Sequence, residues 1–136
     1  MSRRIVITTM LLGLQLPVSL LHAAPAVDSL LQSYRQQGLT QFDPAAGKQL
    51  WTREFTNRKD GQSRSCARCH TADPRRVGSH LRTGKAIKAM APSVNPARLS
   101  DTKKIRKWLR RNCKWTLGRE CSAQEQGNIL LYLKVL

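Results

Sequence analysis

The hydrophobic positions of the chain recur at helical spacing in four stretches, which polar or glycine-containing segments separate. Residues 27–37 form a first predicted helix, which Gly38 ends. Asp43 followed by Pro44 supplies an N-cap and a proline at the first helical position, and so predicts a second helix over residues 44–55. The apolar stripe of this second helix consists of Gly47, Leu50, Trp51 and Phe55.

Two further helices are predicted in the C-terminal part of the chain. Ser100 or Asp101 caps a helix that runs to about Asn112. The apolar face of that helix carries Ile105, Trp108 and Leu109. Ser122 and Glu125 form a capping box for a last helix, which runs to about Val135.

The segments between these helices are predicted to be irregular. Residues 56–65 are polar and contain Gly61, and residues 71–100 contain recurring glycine and proline. The second connection is long for an ordered loop, so we expect it to wrap around a bound group. The resulting fold class is all-α, with no internal repeats.

The N-terminus has the organisation of a secretory signal peptide. Arg3 and Arg4 precede an apolar run over residues 5–21, and small residues follow it. We expect cleavage between His22 and Ala26, which assigns residues 1–26 to the signal peptide and residues 27–136 to a single domain. The alternative is an uncleaved anchor that leaves the domain attached to the membrane and facing the periplasm.

Cys66, Cys69 and His70 form a Cys-x-x-Cys-His motif. In an exported chain this motif is typical of the covalent attachment of a c-type haem, in which the two thiols become thioethers and the histidine binds the iron. A cytosolic chain with the same motif would raise the alternatives of thioredoxin-like redox chemistry and a zinc site. The sequence therefore predicts one covalent haem c, with Cys66 and Cys69 attached to it and His70 as proximal ligand.

The chain is strongly basic. Arg3 and Arg4 are the charged residues of the predicted signal peptide, so residues 27–136 carry 22 Lys and Arg against 8 Asp and Glu, a net charge of +14. Export argues against nucleic acid as the partner, and a basic face on a small redox protein favours an acidic partner protein or an anionic membrane surface. We expect the docking surface around residues 103–111.

Three residues are candidates for the second axial position of the iron. Met90 is the one methionine after residue 26, and it lies 20 residues beyond His70. His80 is ten residues beyond His70, a short tether for reaching the opposite face. Core packing is the alternative role for Met90, and a surface position is the alternative for His80.

Asn112 is the third candidate, because it continues the apolar stripe of its helix. A buried amide needs a partner, since leaving it unpaired costs about 1 to 3 kcal/mol. The residue types alone leave two interpretations open. Asn112 is either a helix C-cap, for which its tolerance of left-handed geometry suits it, or a ligand of the iron.

A set of short motifs resembles the SHP-type cytochromes c, the sphaeroides haem protein family. The motifs are Arg82-Thr83-Gly84-Lys85, Ala91-Pro92-Ser93, Lys107-Trp108-Leu109, Arg111-Asn112-Cys113 and Gly118-Arg119-Glu120-Cys121. The order of helices also resembles the class I cytochrome c fold, in which the first and last helices cross near the haem. Gly47 with Trp51 and Gly127 with Tyr132 are the residues we expect at that crossing.

The resemblance implies a distal ligand and a disulfide. In that family the asparagine before the first cysteine of a disulfide binds the oxidised iron, which implies Asn112 as distal ligand and a Cys113–Cys121 bridge. It implies further that reduction releases Asn112 and that the haem then binds O2, NO or CO. Trp108 is expected to pack on the haem, and Arg82 and Lys85 to compensate its propionates.

The resemblance also implies a periplasmic electron-transfer protein rather than an enzyme. Its redox partners would be a dihaem cytochrome c and a membrane cytochrome b, and the chain is expected to be a monomer or a weak dimer. One alternative is a simple electron carrier with Met90 or His80 as a stable sixth ligand. Another is a small haem enzyme, a peroxidase or a gas reductase, although the sequence offers no acid–base pair for it.

Overall fold

The computed structural model describes residues 24–57 and 60–136, which form five α-helices and two short antiparallel hairpins. The helices are α1 (Pro25–Arg35), α2 (Pro44–Thr52), α3 (Cys66–His70), α4 (Thr102–Leu117) and α5 (Ala123–Lys134). Strands β1 (Phe55–Thr56) and β2 (Ser63–Arg64) form one hairpin, and β3 (Gly78–Ser79) and β4 (Ala86–Ile87) form the other. The predicted all-α fold class is confirmed, because the hairpins are only two residues deep.

The caps predicted for three helices lie where the sequence places them. The Asp43 carboxylate accepts from the Ala45 amide at 2.8 Å, and the Asp101 carboxylate accepts from the Lys104 amide at 3.0 Å. Ser122 and Glu125 form the reciprocal capping box of α5. Each of these side chains accepts a hydrogen bond from a backbone N–H group that the first turn of a helix leaves without a partner.

Two predicted helix ends are wrong. Helix α2 ends at Thr52, three residues before Phe55, because the chain turns extended at Arg53 and Phe55 pairs with Arg64 in the first hairpin. Helix α4 continues past Asn112 to Leu117, and Gly118 ends it with a left-handed φ of 74°. Glycine adopts this conformation without a steric cost, so Gly118 provides the C-terminal stop.

Helices α2 and α5 cross at very close range. A Cβ atom on Gly47 would lie 2.1 Å from the carbonyl oxygen of Asn128, so only glycine allows this approach. Gly127 faces Phe42 rather than Gly47, since a Cβ on it would lie 2.2 Å from the Phe42 ring. Gly47 therefore lies at the crossing as predicted, whereas Gly127 packs against Phe42, which precedes α2.

Two adjoining hydrophobic clusters form the core. The first joins α1 to α4 and α5, and its buried residues include Val27, Leu30, Tyr34, Ile105 and Leu130. The second lies beside α3, and its buried residues are Trp51, Cys113, Cys121, Ile129, Tyr132 and Leu133. Because the second cluster contains residues of α2, α4 and α5, it brings these three helices to the Cys-x-x-Cys-His segment.

The predicted signal peptide lies outside the described residues except for its last three positions. Pro25 and Ala26 belong to the first turn of α1, and Ala26 is buried in the first cluster. Among the described helices, none has the length and apolar character needed to cross a membrane.

Candidate haem-attachment site

The two cysteines of the motif lie on the single helical turn of α3. Both are free thiols and both are partly buried. Burial raises the pKa of the Cys66 thiol to about 11, while the hydroxyl of Thr116 hydrogen-bonds the sulfur and lowers it slightly. Two free thiols three residues apart on one turn are what the addition to two haem vinyl groups requires.

His70 is held as a neutral imidazole. Burial, followed by the charge of Arg98, lowers its pKa to about 4, so the ring carries no proton charge at neutral pH. Its Nδ1 atom is buried without a hydrogen-bond partner among the described residues. The ring lies 5.5 Å from the Trp51 ring, measured between centroids. A neutral imidazole without a hydrogen-bond partner is suited to bind a metal ion.

The chain around α3 is fixed by hydrogen bonds and close backbone packing. The Trp51 indole N–H donates to the carbonyl of Thr71 at 2.8 Å. Ser65, which is buried, donates its hydroxyl to Glu54 at 3.1 Å. On the other side, a Cβ atom on Gly78 would lie 2.0 Å from the Cys69 carbonyl oxygen, so β3 presses directly on the helix backbone. These contacts leave the attachment turn little freedom.

The backbone of Met90 is held against the segment that follows His70. The amides of Met90 and Ala91 donate to the Pro74 carbonyl at 2.8 and 3.1 Å, four residues beyond His70. The Met90 side chain packs on the cluster that contains Trp51. Its placement matches the core-packing alternative considered for it.

His80 and the two predicted propionate contacts lie in the exposed turn of the second hairpin. The Nδ1 atom of His80 lies 3.0 Å from the Thr83 hydroxyl, and its backbone pairs with Lys85. The side chains of Arg82 and Lys85 are exposed and form no ion pair with a described residue. The structure therefore places all three at the surface and brings none of them against α3.

Asn112 lies in the body of α4, five residues before the helix ends, so the C-cap interpretation is wrong. Its side chain is half-buried and makes no hydrogen bond to any described residue. Thr116, which contacts Cys66, follows it by four residues and therefore lies one turn along the same face. An unengaged amide thus faces the same side of α4 as the attachment cysteine.

Trp108 differs from its neighbours on the predicted stripe. Ile105 is buried and Leu109 is half-buried, but Trp108 is 50% exposed. Arg111 lies over its ring, with the guanidinium carbon 4.9 Å from the ring centroid. Its position one turn before Asn112 still places it beside that amide.

Cys113 and Cys121 are joined by a disulfide with a Cα–Cα distance of 5.5 Å. Both residues are buried in the second cluster. The bridge connects the residue after Asn112 to the start of α5. A zinc site shared by the four cysteines is excluded, because two of them are consumed in this bridge.

Sequence reasoning missed three residues around the site. Thr116 contacts the Cys66 sulfur, and Arg98 donates to the carbonyls of Ala89 and Lys88 next to Met90. Arg64 donates to the Trp115 carbonyl at 3.1 Å and so connects β2 to α4. The one available sequence signal was the spacing of Thr116, four residues after Asn112; the other two contacts depend on the folded chain.

The residues present fit a covalently attached haem. Cys66 and Cys69 are free, His70 is neutral and unengaged, and Asn112 offers an amide that nothing else uses. An imidazole beside two thiols is the donor set expected for a covalently attached haem. The exposed Trp108 indole adds an apolar surface next to them.

Comparison with known proteins gives concordant matches. A family model described as a domain of unknown function (DUF1924) matches residues 37–133. Cytochrome c-type protein SHP from Cereibacter sphaeroides is 34% identical over 133 residues, which is 98% of this chain and 98% of that one. The sequence similarity thus extends over almost the entire length of both proteins.

Solved structures of two relatives are similar to this one. The structure of oxidised SHP, described as an oxygen-binding cytochrome c, matches with a TM-score of 0.74 and 34% identity, over 81% of this chain and 96% of that one. The solution structure of cytochrome c'' from Methylophilus methylotrophus, described in connection with haem-ligand detachment, matches with a TM-score of 0.68. It is 31% identical and covers 79% of this chain and 90% of that one.

Proposed function

Because the chain belongs to the family of SHP-type cytochromes c, we propose that it is a periplasmic electron-transfer protein that binds a diatomic gas in its reduced state. One haem c is attached through Cys66 and Cys69, with His70 on its iron. The ligand class is O2, NO or CO. The oxygen binding described for SHP and the haem-ligand detachment described for cytochrome c'' support this proposal.

The observation that carries the proposal is the unengaged amide of Asn112. The amide is half-buried on α4, forms no hydrogen bond to a described residue, and lies one turn from the residue that contacts Cys66. When bound, the haem supplies an iron whose oxidised form is the harder acid and holds an amide oxygen better than its reduced form does. Asn112 therefore binds in the oxidised protein and withdraws on reduction.

Met90 and His80 each make other contacts, which argue against either residue as the distal ligand. The backbone of Met90 is held by a hydrogen bond to the Pro74 carbonyl, and its side chain packs on the second hydrophobic cluster. His80 lies in an exposed turn, with its ring against Thr83. We therefore assign neither residue to the iron, and Asn112 remains the distal ligand.

Three further residues have roles in this proposal. Trp108, one turn before Asn112, packs its exposed indole on the haem. Arg82 and Lys85 compensate the propionate charges from the second hairpin. The relatives are named as cytochromes, and we assign the chain no enzymatic activity of its own.

The outer face of α4 is the proposed docking surface for a redox partner. The helix contains no acidic residue from Thr102 to Leu117, and Lys103, Lys107 and Arg110 form no ion pair with a described residue. Such a face attracts an acidic protein surface and speeds encounter at low salt. A dihaem cytochrome c and a membrane cytochrome b are the partners that the family implies.

The test is the spectrum of the haem-loaded protein in both oxidation states, for the wild type and Asn112→Ala. We expect the oxidised variant to open its distal position to water or added anions and the reduced wild type to bind CO. Met90→Leu and His80→Ala serve as controls and should leave the oxidised spectrum unchanged. An unchanged oxidised spectrum in Asn112→Ala, or a reduced wild type that is low-spin and inert to CO, would exclude the proposal.

A further inference from the structure

Arg64 connects the haem-attachment segment to the helix that carries Asn112. It lies on β2, two residues before Cys66, and its guanidinium carbon is 4.7 Å from the centroid of the Trp115 ring. One terminal amine donates to the Trp115 carbonyl at 3.1 Å, and the other pairs with Asp60. The side chain is only 13% exposed, although it carries a full charge.

The contact satisfies a specific need of α4. The last four carbonyls of a helix have no partner within the helix, and Trp115 is one of these residues in a helix that ends at Leu117. A cation at this end also interacts favourably with the helix dipole. Arg64 thus acts as a C-terminal partner that the first hairpin supplies to α4 from outside.

The turn that follows Asn112 is consequently held from two directions. The disulfide ties Cys113 to the start of α5, while Arg64 and the Thr116 contact with Cys66 tie residues 115 and 116 to the attachment segment. Trp115 lies three residues after Asn112, a rise of about 4.5 Å along the helix. Any movement of α4 away from the attachment segment must therefore break the Arg64 contact.

We infer that Arg64 is a positioning residue that keeps the Asn112 amide near the iron and so determines how easily an external ligand replaces it. The inference rests on the proposed function, since it presumes that Asn112 is the distal ligand. A tethered ligand competes at a high effective concentration, which is greatest when the tether is stiff. Without Arg64, the part of α4 that carries Asn112 is held less firmly, which favours binding of the external ligand.

Cyanide titration of the oxidised, haem-loaded protein tests this inference. We expect Arg64→Ala to raise the cyanide affinity roughly tenfold, the ratio that corresponds to about 1.4 kcal/mol. Arg68→Ala is the matched control, because Arg68 lies on α3 and donates to the Ser63 carbonyl within the attachment segment. The control should change the affinity less than twofold.

The same titration in an Asn112→Ala background separates positioning from a general loss of structure. With no amide to position, Arg64→Ala should have no further effect on cyanide affinity. An affinity unchanged by Arg64→Ala alone, or an equal increase in both backgrounds, would overturn the inference. If Arg64→Ala does not fold, Arg64→Lys is titrated instead, because lysine keeps the charge but loses the planar group that stacks on the indole. Arg64→Lys should raise the cyanide affinity at least threefold, and this increase should vanish in the Asn112→Ala background.

Failure of the inference differs from failure of the proposed function. If Asn112→Ala responds to cyanide as expected and Arg64→Ala does not, only the role of Arg64 is wrong. If Asn112→Ala itself leaves the oxidised spectrum and the cyanide affinity unchanged, Asn112 is not the ligand, and both conclusions are wrong.

Discussion

The surroundings of His70 and those of Asn112 differ in burial and in hydrogen bonding within the polypeptide. Around His70, Trp51 is 3% exposed, its indole N–H bonds the Thr71 carbonyl, and Pro74 accepts two backbone bonds. Around Asn112, the amide bonds no described residue, and the flanking Trp108 and Trp115 are 50% and 40% exposed. The chain therefore buries Trp51 beside His70 much more completely than it buries the two tryptophans that flank Asn112.

Under the proposed function, the difference explains how one haem would have a permanent and a replaceable ligand. Displacing a group from a packed region breaks many contacts at once, because protein interiors are as dense as organic crystals. Displacing the Asn112 amide breaks no hydrogen bond within the described chain, so under the proposed function its bond to the iron and the contacts that hold α4 are what oppose release. We therefore expect the His70 region to determine stability and the Asn112 region to determine ligand binding.

The largest expected effect comes from removing the indole that packs on His70. Trp51→Ala removes a buried ring and its bond to Thr71, and we expect it to lower the free energy of unfolding by about 3 to 5 kcal/mol. Denaturant unfolding of the haem-loaded protein measures this change in the free energy of unfolding. Trp115→Ala is the control from the other region, where the more exposed ring should cost clearly less. Equal losses for the two tryptophans would contradict the contrast.

Removing the disulfide is the next largest perturbation. Cys113→Ala with Cys121→Ala opens a short loop, and the chain-entropy model gives a loss of about 2.5 kcal/mol in the free energy of unfolding. Because the bridge adjoins Asn112, we also expect faster cyanide binding in the oxidised state. Thermal unfolding and stopped-flow cyanide binding measure the two effects. A stability loss without a change in ligand kinetics would limit the bridge to a structural role.

Acid should weaken the capping box that holds the start of α5 beside the disulfide. Bonds from Arg119 and the Ser122 amide lower the pKa of Glu125 to about 2, against an ordinary value of 4.5. Its folded-state pKa is depressed, so its contribution is complete above about pH 4.5 and is lost as the pH falls towards 2.

Glu125→Gln removes this titration. We expect a loss of about 1 kcal/mol at neutral pH, as for other helix-capping groups, and a smaller further loss between pH 4.5 and 2 than in the wild type. Unfolding midpoints measured across that range provide the comparison. Identical acid dependence in the two proteins would show that another group is responsible.

The smallest expected effect is that of Asn112→Ala on the stability of the reduced protein. Because the amide bonds no described residue and alanine is the better helix former, the free energy of unfolding should stay constant or rise by about 0.5 kcal/mol. Anaerobic denaturant unfolding of the reduced protein measures this. A loss above 1 kcal/mol would mean that the chain itself engages Asn112 and would remove the contrast between the two regions.

The local signals of the sequence were reliable where neighbouring residues settle the outcome. Asp43, Asp101 and the Ser122–Glu125 box cap the helices predicted for them, since a cap needs only the next three residues. The two wrong helix ends had other causes. Phe55 lies outside α2 because it pairs with Arg64 in the first hairpin, and α4 continues past Asn112 until Gly118 allows a left-handed turn.

The sequence by itself determined the cofactor, the positions of the caps and the family, because each depends on residue types at short or fixed spacing. Only the tertiary structure decided that Asn112 lies inside a helix with no side-chain hydrogen bond to a described residue, that Met90 packs on the second hydrophobic cluster, and that Arg64 reaches the end of α4. These facts join residues up to 51 positions apart. Such contacts arise from how helices and hairpins pack, and no local pattern of residues encodes them.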